Sequence, residues 1–245
     1  MANEEQSPRL AVLIDADNAS PKIADGLFDE VARIGEASLR RIYGDFSDGH
    51  LKGWAEILSR HAILPQQQFA YTTGKNSSDI TLVIDAMDLL HSGRFDGFCL
   101  VSSDSDFTRL AARIREQGVA VYGIGQRKTP ESFRQACTRF IFTENFVNGG
   151  SDGDKAKSAT PTGEALPLFE KVIGELEGDA EGWLSLGIVG HRLNNLSPEF
   201  DSRTFGYSKL SDLVAAMPQF EIDRKGPQGP RMRPQKKKTR ARTRK

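Results

Sequence analysis

The chain has 245 residues, of which 38% are hydrophobic and 27% are charged, so one ordinary domain and a second small one are expected. No apolar run approaches the ~20 residues that a membrane span requires, and the polar N-terminus does not look like a secretory signal. We therefore expect a cytoplasmic protein without membrane contact. Cys99 and Cys137 lie in predicted core elements, and their spacing excludes a zinc motif or a disulfide framework.

The formal net charge of zero conceals an uneven distribution along the chain. Residues 224–245 contain eleven Lys and Arg and no acidic residue, which leaves 22 basic against 33 acidic residues in 1–223. A basic tail on an acidic body suggests a polyanionic partner, most often nucleic acid. Because this segment cannot build a core, we expect 224–245 to be disordered. It would serve either as a solubility tail or as an arm that holds the phosphates of a nucleic acid.

Residues 8–147 alternate between apolar runs and helical periodicity. Consecutive apolar residues predict strands at 10–14, 38–43, 63–69, 98–101, 119–124 and 139–143. Apolar residues at helical spacing predict helices at 21–34, about 50–60, 78–90, 107–114 and from residue 130 onward. This alternation predicts a three-layer α/β/α domain with a mostly parallel sheet.

A second compact segment follows residues 148–163, which are rich in Gly, Ser, Thr and Asp and are predicted to be a flexible linker. Helical stripes begin near Leu166, Trp183 and Leu210, and 220–222 has the pattern of a short strand. Three helices and a strand within residues 164–223 fit a winged-helix module.

Aspartates stand where predicted strands end and helices begin. Asp15 ends the first strand, Asp79 starts a helix, and Asp104 and Asp106 follow the strand at 98–101. Ligands bind at the carboxyl ends of strands in open α/β sheets, so we expect these side chains to meet. Crowded carboxylates repel one another unless a cation neutralises them, and carboxylate oxygens suit Mg²⁺ or Mn²⁺. For Asp104, capping of the following helix is the alternative.

Such a site predicts metal-assisted hydrolysis of a phosphodiester, because two ions ~3.5–4 Å apart activate a water and stabilise the leaving oxygen. Asn18 could position a ligand water or the scissile phosphate. Asp17 and Asp85 are weaker candidates for the metal. Asp85 lies off the face of the helix that carries Asp79, so a structural hydrogen bond is expected there.

Three blocks of the chain carry a family resemblance: LIDADN at 13–18, KNSSDI at 75–80 with Asp85 and Ala86, and SSDSDF at 102–107. In order and spacing they resemble the signature blocks of the NYN domain, a family of PIN-like nucleases. The resemblance covers residues 8–147 and implies an α/β/α sandwich with a metal-dependent ribonuclease site. Lys75 would touch phosphate or be solvated. The metal or catalytic residues so implied are Asp15, Asp79, Asp104 and Asp106, with Asn18 as support.

A competing match starts at the same aspartate. Asp15-Ala16-Asp17 resembles the DxD start of haloacid dehalogenase-type phosphatases, whose first Asp is a nucleophile. That pattern has Thr or Val two residues after the second Asp, whereas this chain has Ala19. A convincing downstream lysine motif is also missing from the sequence. The phosphatase interpretation is therefore not favoured.

The second segment resembles the OST-HTH domain, also called LOTUS, through 183–187, 198–201 and the stretch 203–213. That family is a winged-helix fold associated with RNA binding or protein contacts. Arg203 and Lys209 are expected as surface contacts, and a strongly basic recognition helix for DNA is missing. The matching residues expected to pack in a core are Trp183, Phe200, Phe205, Tyr207 and Leu213.

The sequence as a whole predicts a ribonuclease that uses Mg²⁺ or Mn²⁺, with RNA recruited by the LOTUS domain and the basic tail. The alternative is an RNA-binding regulatory or adaptor protein with a weak or inactive nuclease site. In either case a protein partner could bind the LOTUS domain.

Overall fold

The computed structural model describes residues 7–47, 49–68, 77–147 and 160–235, which fall into two compact units on either side of residue 151. Three predicted features lie outside the described residues: positions 148–159 of the linker, Lys75, and the last ten residues of the tail. Within the described ranges, no helix has the length and apolar character needed to cross a membrane.

The first unit is a six-stranded sheet flanked by helices, and every strand pairing in it is parallel, which confirms the predicted α/β class. The strands are β1 Arg9–Asp15, β2 Glu36–Gly44, β3 Leu64–Gln67, β4 Gly97–Val101, β5 Ala120–Gly125 and β6 Arg139–Phe142. The helices are α1 Ala24–Ile34, α2 Lys52–Ala55, α3 Ser77–His91, α4 Thr108–Glu116, α5 Glu131–Ala136 and α6 Glu144–Val147.

The strand order β3-β2-β1-β4-β5-β6 places β1 and β4 side by side at the centre. The chain builds outward from β1 in one direction and from β4 in the other. Such a switch point opens a crevice at the carboxyl ends of the two strands. Ile14 pairs with Val101 in the register, so the residues that follow, Asp15 and Ser102, face each other across this crevice.

Helices cover both faces of the sheet, and the central strand is therefore buried on both sides. Leu10–Ile14 expose none of their surface. Alternate residues of this strand pack with Leu27 and Val31 of α1 on one face and with Leu82 and Ile114 of α3 and α4 on the other. This two-sided burial explains why β1 has a continuous apolar sequence instead of an alternating one.

The loop after β1 is fixed at two points. Trp54 of α2 is buried, and its Nε1 donates a hydrogen bond to the carbonyl oxygen of Ala19 at 2.9 Å. Ser20 caps the 3-10 turn Pro21–Ile23, and its Oγ accepts from the backbone N–H of Lys22. The loop that carries Asn18 is thus anchored from the far side by a tryptophan.

The second unit packs three helices against a small antiparallel sheet of order β7-β9-β8. The helices are α7 Leu166–Glu175, α8 Leu186–Leu196 and α9 Leu210–Ala215, and the strands are β7 Leu184–Ser185, β8 Phe220–Asp223 and β9 Arg231–Pro234. Phe200, Phe205 and Tyr207 pack partly buried against this core, and Leu213 is fully buried, as predicted.

The predicted end of this domain at residue 223 is wrong. Strand β9 lies within the segment expected to be a disordered tail, and Met232 at its centre has no exposed surface. Gly226 and Gly229 form the turn that brings β9 back onto β8, and a backbone hydrogen bond from Gly229 to Gly226 closes it. The domain therefore extends through β9, and a basic tail can begin only after residue 235.

Two further predictions for the second unit are wrong. Trp183 lies outside the core cluster and is half-buried, with the guanidinium carbons of Arg231 and Arg233 4.7 and 4.3 Å from its ring centre. Arg203 is not a free surface contact, because it pairs through two nitrogens with the buried carboxylate of Asp201. All three arginines are therefore engaged within the domain, Arg231 and Arg233 with the Trp183 ring and Arg203 with Asp201.

Candidate active site

Asp15 is buried at the end of β1 and accepts four hydrogen bonds. Its Oδ1 accepts from the backbone N–H groups of Asp17 and Asn18 at 3.1 and 3.3 Å. Its Oδ2 accepts from Asn18 Nδ2 at 2.9 Å and from Ser102 Oγ at 2.7 Å. Burial raises the pKa of Asp15, although the hydrogen bonds from Ser102 and Asn18 oppose that rise. The register of β1 and β4 creates the bond to Ser102.

Four hydrogen bonds fill the lone-pair positions of a carboxylate. A metal ion at Asp15 would therefore displace one of the donors. Asn18 is exposed, whereas Ser102 is buried, so the Asn18 amide is the donor that can move at the lower cost. The structure places Asn18 in direct contact with Asp15, and its auxiliary role at the site stays a prediction.

Asp104 and Asp106 lie in the turn that follows β4. The backbone N–H of Asp104 donates to Ser102 Oγ at 3.0 Å, and the Asp104 side chain accepts from the backbone N–H of Asp106 at 2.9 Å. Asp104 thus caps the 3-10 turn Ser105–Phe107 that leads into α4, as the capping alternative predicted. One Asp104 oxygen makes this cap, and the other takes part in no hydrogen bond among the described residues.

Asp79 occupies the first turn of α3 and is half-buried. Burial raises the pKa of Asp79 to about 6, with further contributions from the negative charges of Asp15, Asp104, Asp17 and Asp106, in that order. Hydrogen bonds show the same proximity, because Ser102 links Asp15 to the Asp104 backbone and Ser78, next to Asp79, bonds to Asp17. The four predicted site residues therefore converge at one edge of the sheet, and we call this group, Asp15, Asp79, Asp104 and Asp106, the acidic edge.

Asp17, a weaker candidate, joins two parts of this region. Its exposed carboxylate accepts a hydrogen bond from Ser78 Oγ at 3.2 Å, which links the loop after β1 to the start of α3. Asp17 also adds to the repulsion that Asp79 experiences. Its position is therefore beside the acidic edge, with a structural contact of its own.

The donor set of the acidic edge suits a hard divalent cation, because every member is a carboxylate. In the described part of the chain, however, no three His, Cys, Asp or Glu side chains are already arranged to hold a metal ion. The repulsion felt by Asp79 is what a bound cation would relieve. The residues present thus fit Mg²⁺ or Mn²⁺ in chemistry and in charge.

Asp85 has a different role, as expected. Its carboxylate accepts from Arg41 Nη1 at 2.6 Å and also from the hydroxyl of Tyr43. Arg41 and Tyr43 lie on β2, so this network ties α3 to the sheet six residues beyond Asp79. Burial and the Asp85 carboxylate raise the pKa of Tyr43, which keeps the phenol protonated as a donor.

Ser102 is the site residue that sequence reasoning did not single out. It bridges the acidic edge by donating to Asp15 and accepting from the backbone of Asp104. The available signal was its place as the first polar residue after the apolar run of β4, in line with Asp15. Arg41 and Tyr43 had no comparable signal, because their partner lies on a distant helix.

Comparison with known proteins supports the same organisation. The NYN domain family model matches residues 9–144, more than half of the chain, and the OST-HTH/LOTUS domain model matches residues 159–231. A protein of unknown function from Vibrio parahaemolyticus RIMD 2210633, known from a crystal structure, shares 18% identity with a TM-score of 0.49. That likeness covers 56% of this chain and 94% of the other. Curated proteins offer no significant match.

Proposed function

The chain belongs to the NYN family of the PIN-like nuclease superfamily, and from this we propose that it is a metal-dependent ribonuclease. The following OST-HTH/LOTUS domain supports an RNA-associated role. The observation that carries the proposal is the convergence of four carboxylates from three chain segments, which hydrogen bonds of Ser102 and Ser78 join at one edge of the sheet. The cytoplasmic location expected from the sequence stays a prediction.

When bound, Mg²⁺ or Mn²⁺ would supply an activated water and stabilise the leaving oxygen of the phosphodiester. Asp79, Asp104 and Asp106 would hold the ion, and Asp15 would join them once the Asn18 amide turns away. Ser102 orients Asp15 and the Asp104 backbone together. Attack of water on phosphorus would leave a 5′-phosphate and a 3′-hydroxyl.

The test is cleavage of end-labelled single-stranded and structured RNA by the full chain with Mg²⁺, Mn²⁺ or EDTA. We expect cleavage that needs metal and is lost in Asp104→Asn. Asp88→Asn is the matched control, because Asp88 is an exposed aspartate on α3 and is not among the charges that raise the pKa of Asp79. Cleavage that persists in EDTA or in Asp104→Asn would refute the proposal.

A second candidate function is an RNA-binding regulatory or adaptor protein with a weak or inactive site. Two observations favour it. No three acidic side chains among the described residues are arranged to hold a metal ion, and the carboxylate of Asp15 already accepts four hydrogen bonds. Binding of RNA without cleavage in any metal would select this alternative. RNA captured by the LOTUS domain and by the basic residues after 235 is proposed under either function, and a protein partner of the LOTUS domain stays a proposal.

A further inference from the structure

Most basic side chains of the first unit are already engaged. Arg33 pairs with Glu30 and Arg113 pairs with Glu116, for example, and others bind carbonyl oxygens or cover aromatic rings. Among the described residues of this unit, only three Lys or Arg side chains make no ion pair, hydrogen bond or ring contact. These three are Lys22, Arg109 and Lys128.

The three unpaired cations share a location. Lys22 lies in the turn after β1, Arg109 in the first turn of α4 after β4, and Lys128 in the loop after β5. All three side chains are exposed. They therefore stand at the carboxyl ends of three adjacent strands, which is also the edge that carries the carboxylates. An exposed cation without a partner can bind a phosphate without first breaking an ion pair.

An open cleft lies between the loops that carry Lys22 and Lys128. Asn18 and Ser102 line it and also bond to Asp15, so the cleft opens directly beside the acidic edge. Its floor is apolar, formed by Ile23, Val101 and Ile124, and its remaining polar wall includes Ser20, Ser103, Gln126 and Thr143. A polar rim over an apolar floor is typical of ligand sites, and this shallow cleft, about 240 Å³ including open solvent, takes one edge of a ligand.

Gln126 is held by its backbone and left free at its side chain. Its N–H donates to Ser103 Oγ at 2.9 Å, and its carbonyl oxygen accepts from the N–H and the hydroxyl of Thr129 at 3.0 and 2.6 Å. Thr129 is buried, so these hydrogen bonds anchor the loop to the interior of the domain. Within the described residues the Gln126 carboxamide makes no hydrogen bond, so it offers both a donor and an acceptor to a ligand.

We propose that this cleft is the subsite for the nucleotide next to the scissile phosphate of an unpaired RNA strand. Lys22 and Lys128 bind the phosphates on either side of that nucleotide, and Gln126 bonds to the Watson–Crick edge of its base. Arg109 binds the strand where it continues past Asp106. The strand is unpaired, because a base can offer its Watson–Crick edge to a protein side chain only outside a duplex.

The position of the cleft next to a scissile phosphate rests on the proposed ribonuclease function, but binding of RNA in the cleft does not depend on cleavage. The test therefore measures binding of a labelled single-stranded RNA to the full chain in EDTA, by fluorescence anisotropy across a range of salt. Each phosphate contact on a single strand contributes about 0.7 to the slope of log affinity against log salt. The double variant Lys22→Ala, Lys128→Ala should make that slope shallower by about 1.4. If the two contacts contribute nothing at 1 M salt, the same slope change means an affinity loss of about 14-fold near 0.15 M salt.

Two control variants separate these contacts from general loss of charge. Lys52→Ala removes an exposed lysine that is paired with Glu56, and Arg113→Ala removes the arginine one turn after Arg109 on the same helix. Both should leave the slope unchanged, whereas Arg109→Ala should lower it by about 0.7. All these residues are exposed, and thermal unfolding should match wild type for every variant. An unchanged slope in the Lys22 and Lys128 double variant overturns the proposal.

The same variants distinguish failure of the cleft from failure of the ribonuclease function. Binding that depends on Lys22 and Lys128, without cleavage in any metal, keeps the cleft and rejects the nuclease. Cleavage by the double variant, with unchanged salt slope and unchanged KM, keeps the nuclease and rejects the cleft. Gln126→Ala should weaken binding of the four homopolymeric RNAs unequally, and an equal loss for all four overturns its assigned contact.

Discussion

Replacing Asp79 by Asn should stabilise the protein when metal is absent. The pKa of Asp79 rises from 3.8 to about 6 in the folded chain, so the folded state binds its proton more tightly than the unfolded state. The free energy of unfolding of the wild type therefore falls as pH rises from about 4 through about 6. Asn carries no charge and removes this dependence.

The size of the gain follows from the shift. One pKa unit corresponds to about 1.36 kcal/mol, which sets an upper bound of about 3 kcal/mol above pH 6. Asp79 is only half-buried, and solvent screening roughly halves this bound. Loss of a negative charge at the N-terminus of α3 costs about 0.5 kcal/mol in the opposite direction. The expected net gain is about 1 kcal/mol, or roughly 3 °C in Tm.

The assay is thermal unfolding of wild type and Asp79→Asn in EDTA at pH 7.5 and at pH 4, followed by tryptophan fluorescence, to which buried Trp54 contributes from the first unit. The gain should be present at pH 7.5 and absent at pH 4. Asp88→Asn should show no gain at either pH. Mn²⁺ should stabilise the wild type and have a smaller effect on Asp79→Asn, which should also fail to cleave RNA. An equal gain at both pH values would show that carboxylate repulsion is not its cause.

Three other predictions concern the rest of the chain. Deleting 236–245 should weaken RNA binding and flatten its salt dependence with unchanged thermal unfolding, whereas deleting 224–245 also removes Met232 from the core and should lower the Tm of the second domain. Asp85→Ala leaves its two partners on β2 without an acceptor and should cost about 2 kcal/mol in urea unfolding. Burial raises the pKa of Cys99 to about 12, so a thiol reagent should label it only after denaturation, and fast labelling of the native chain would contradict this.

The parallel sheet could be predicted because its burial leaves a direct trace in the sequence. Leu10–Ile14 are apolar without interruption since helices cover both faces of β1. Strand β9 left no such trace, because Arg231 and Arg233 flank its one buried residue and resemble part of a basic tail. These arginines are neutralised by Asp223 and Glu221 of the neighbouring strand, a pairing that depends on the turn between them.

The site could be predicted in its residues but not in its contacts. Asp15 and Asp104 were recognisable because they follow apolar runs at strand ends. The bond from Ser102 to Asp15 depends on the register of β1 against β4, which is set by packing across the whole sheet. Lys22 and Lys128 have no partner among the described residues, and the sequence could not predict this, because it depends on where the acidic residues of the first unit lie in space.

The acidic edge and the lysines beside it would act on the same RNA in different ways, the carboxylates by holding a metal ion and the lysines by binding phosphates. RNA has the same sign of charge as Asp79, so a phosphate placed there adds to the repulsion that already raises the pKa of this carboxyl. Lys22 and Lys128 offset that repulsion at the flanking phosphates, and a divalent cation would offset it at the scissile one. Metal and RNA should then strengthen each other's binding by the same factor, because coupling between two ligands is reciprocal. The ratio of the RNA affinity in Mg²⁺ to that in EDTA measures this factor. In Asp104→Asn the ratio should fall toward one, whereas the contribution of Lys22 and Lys128 to the salt dependence of RNA binding should remain.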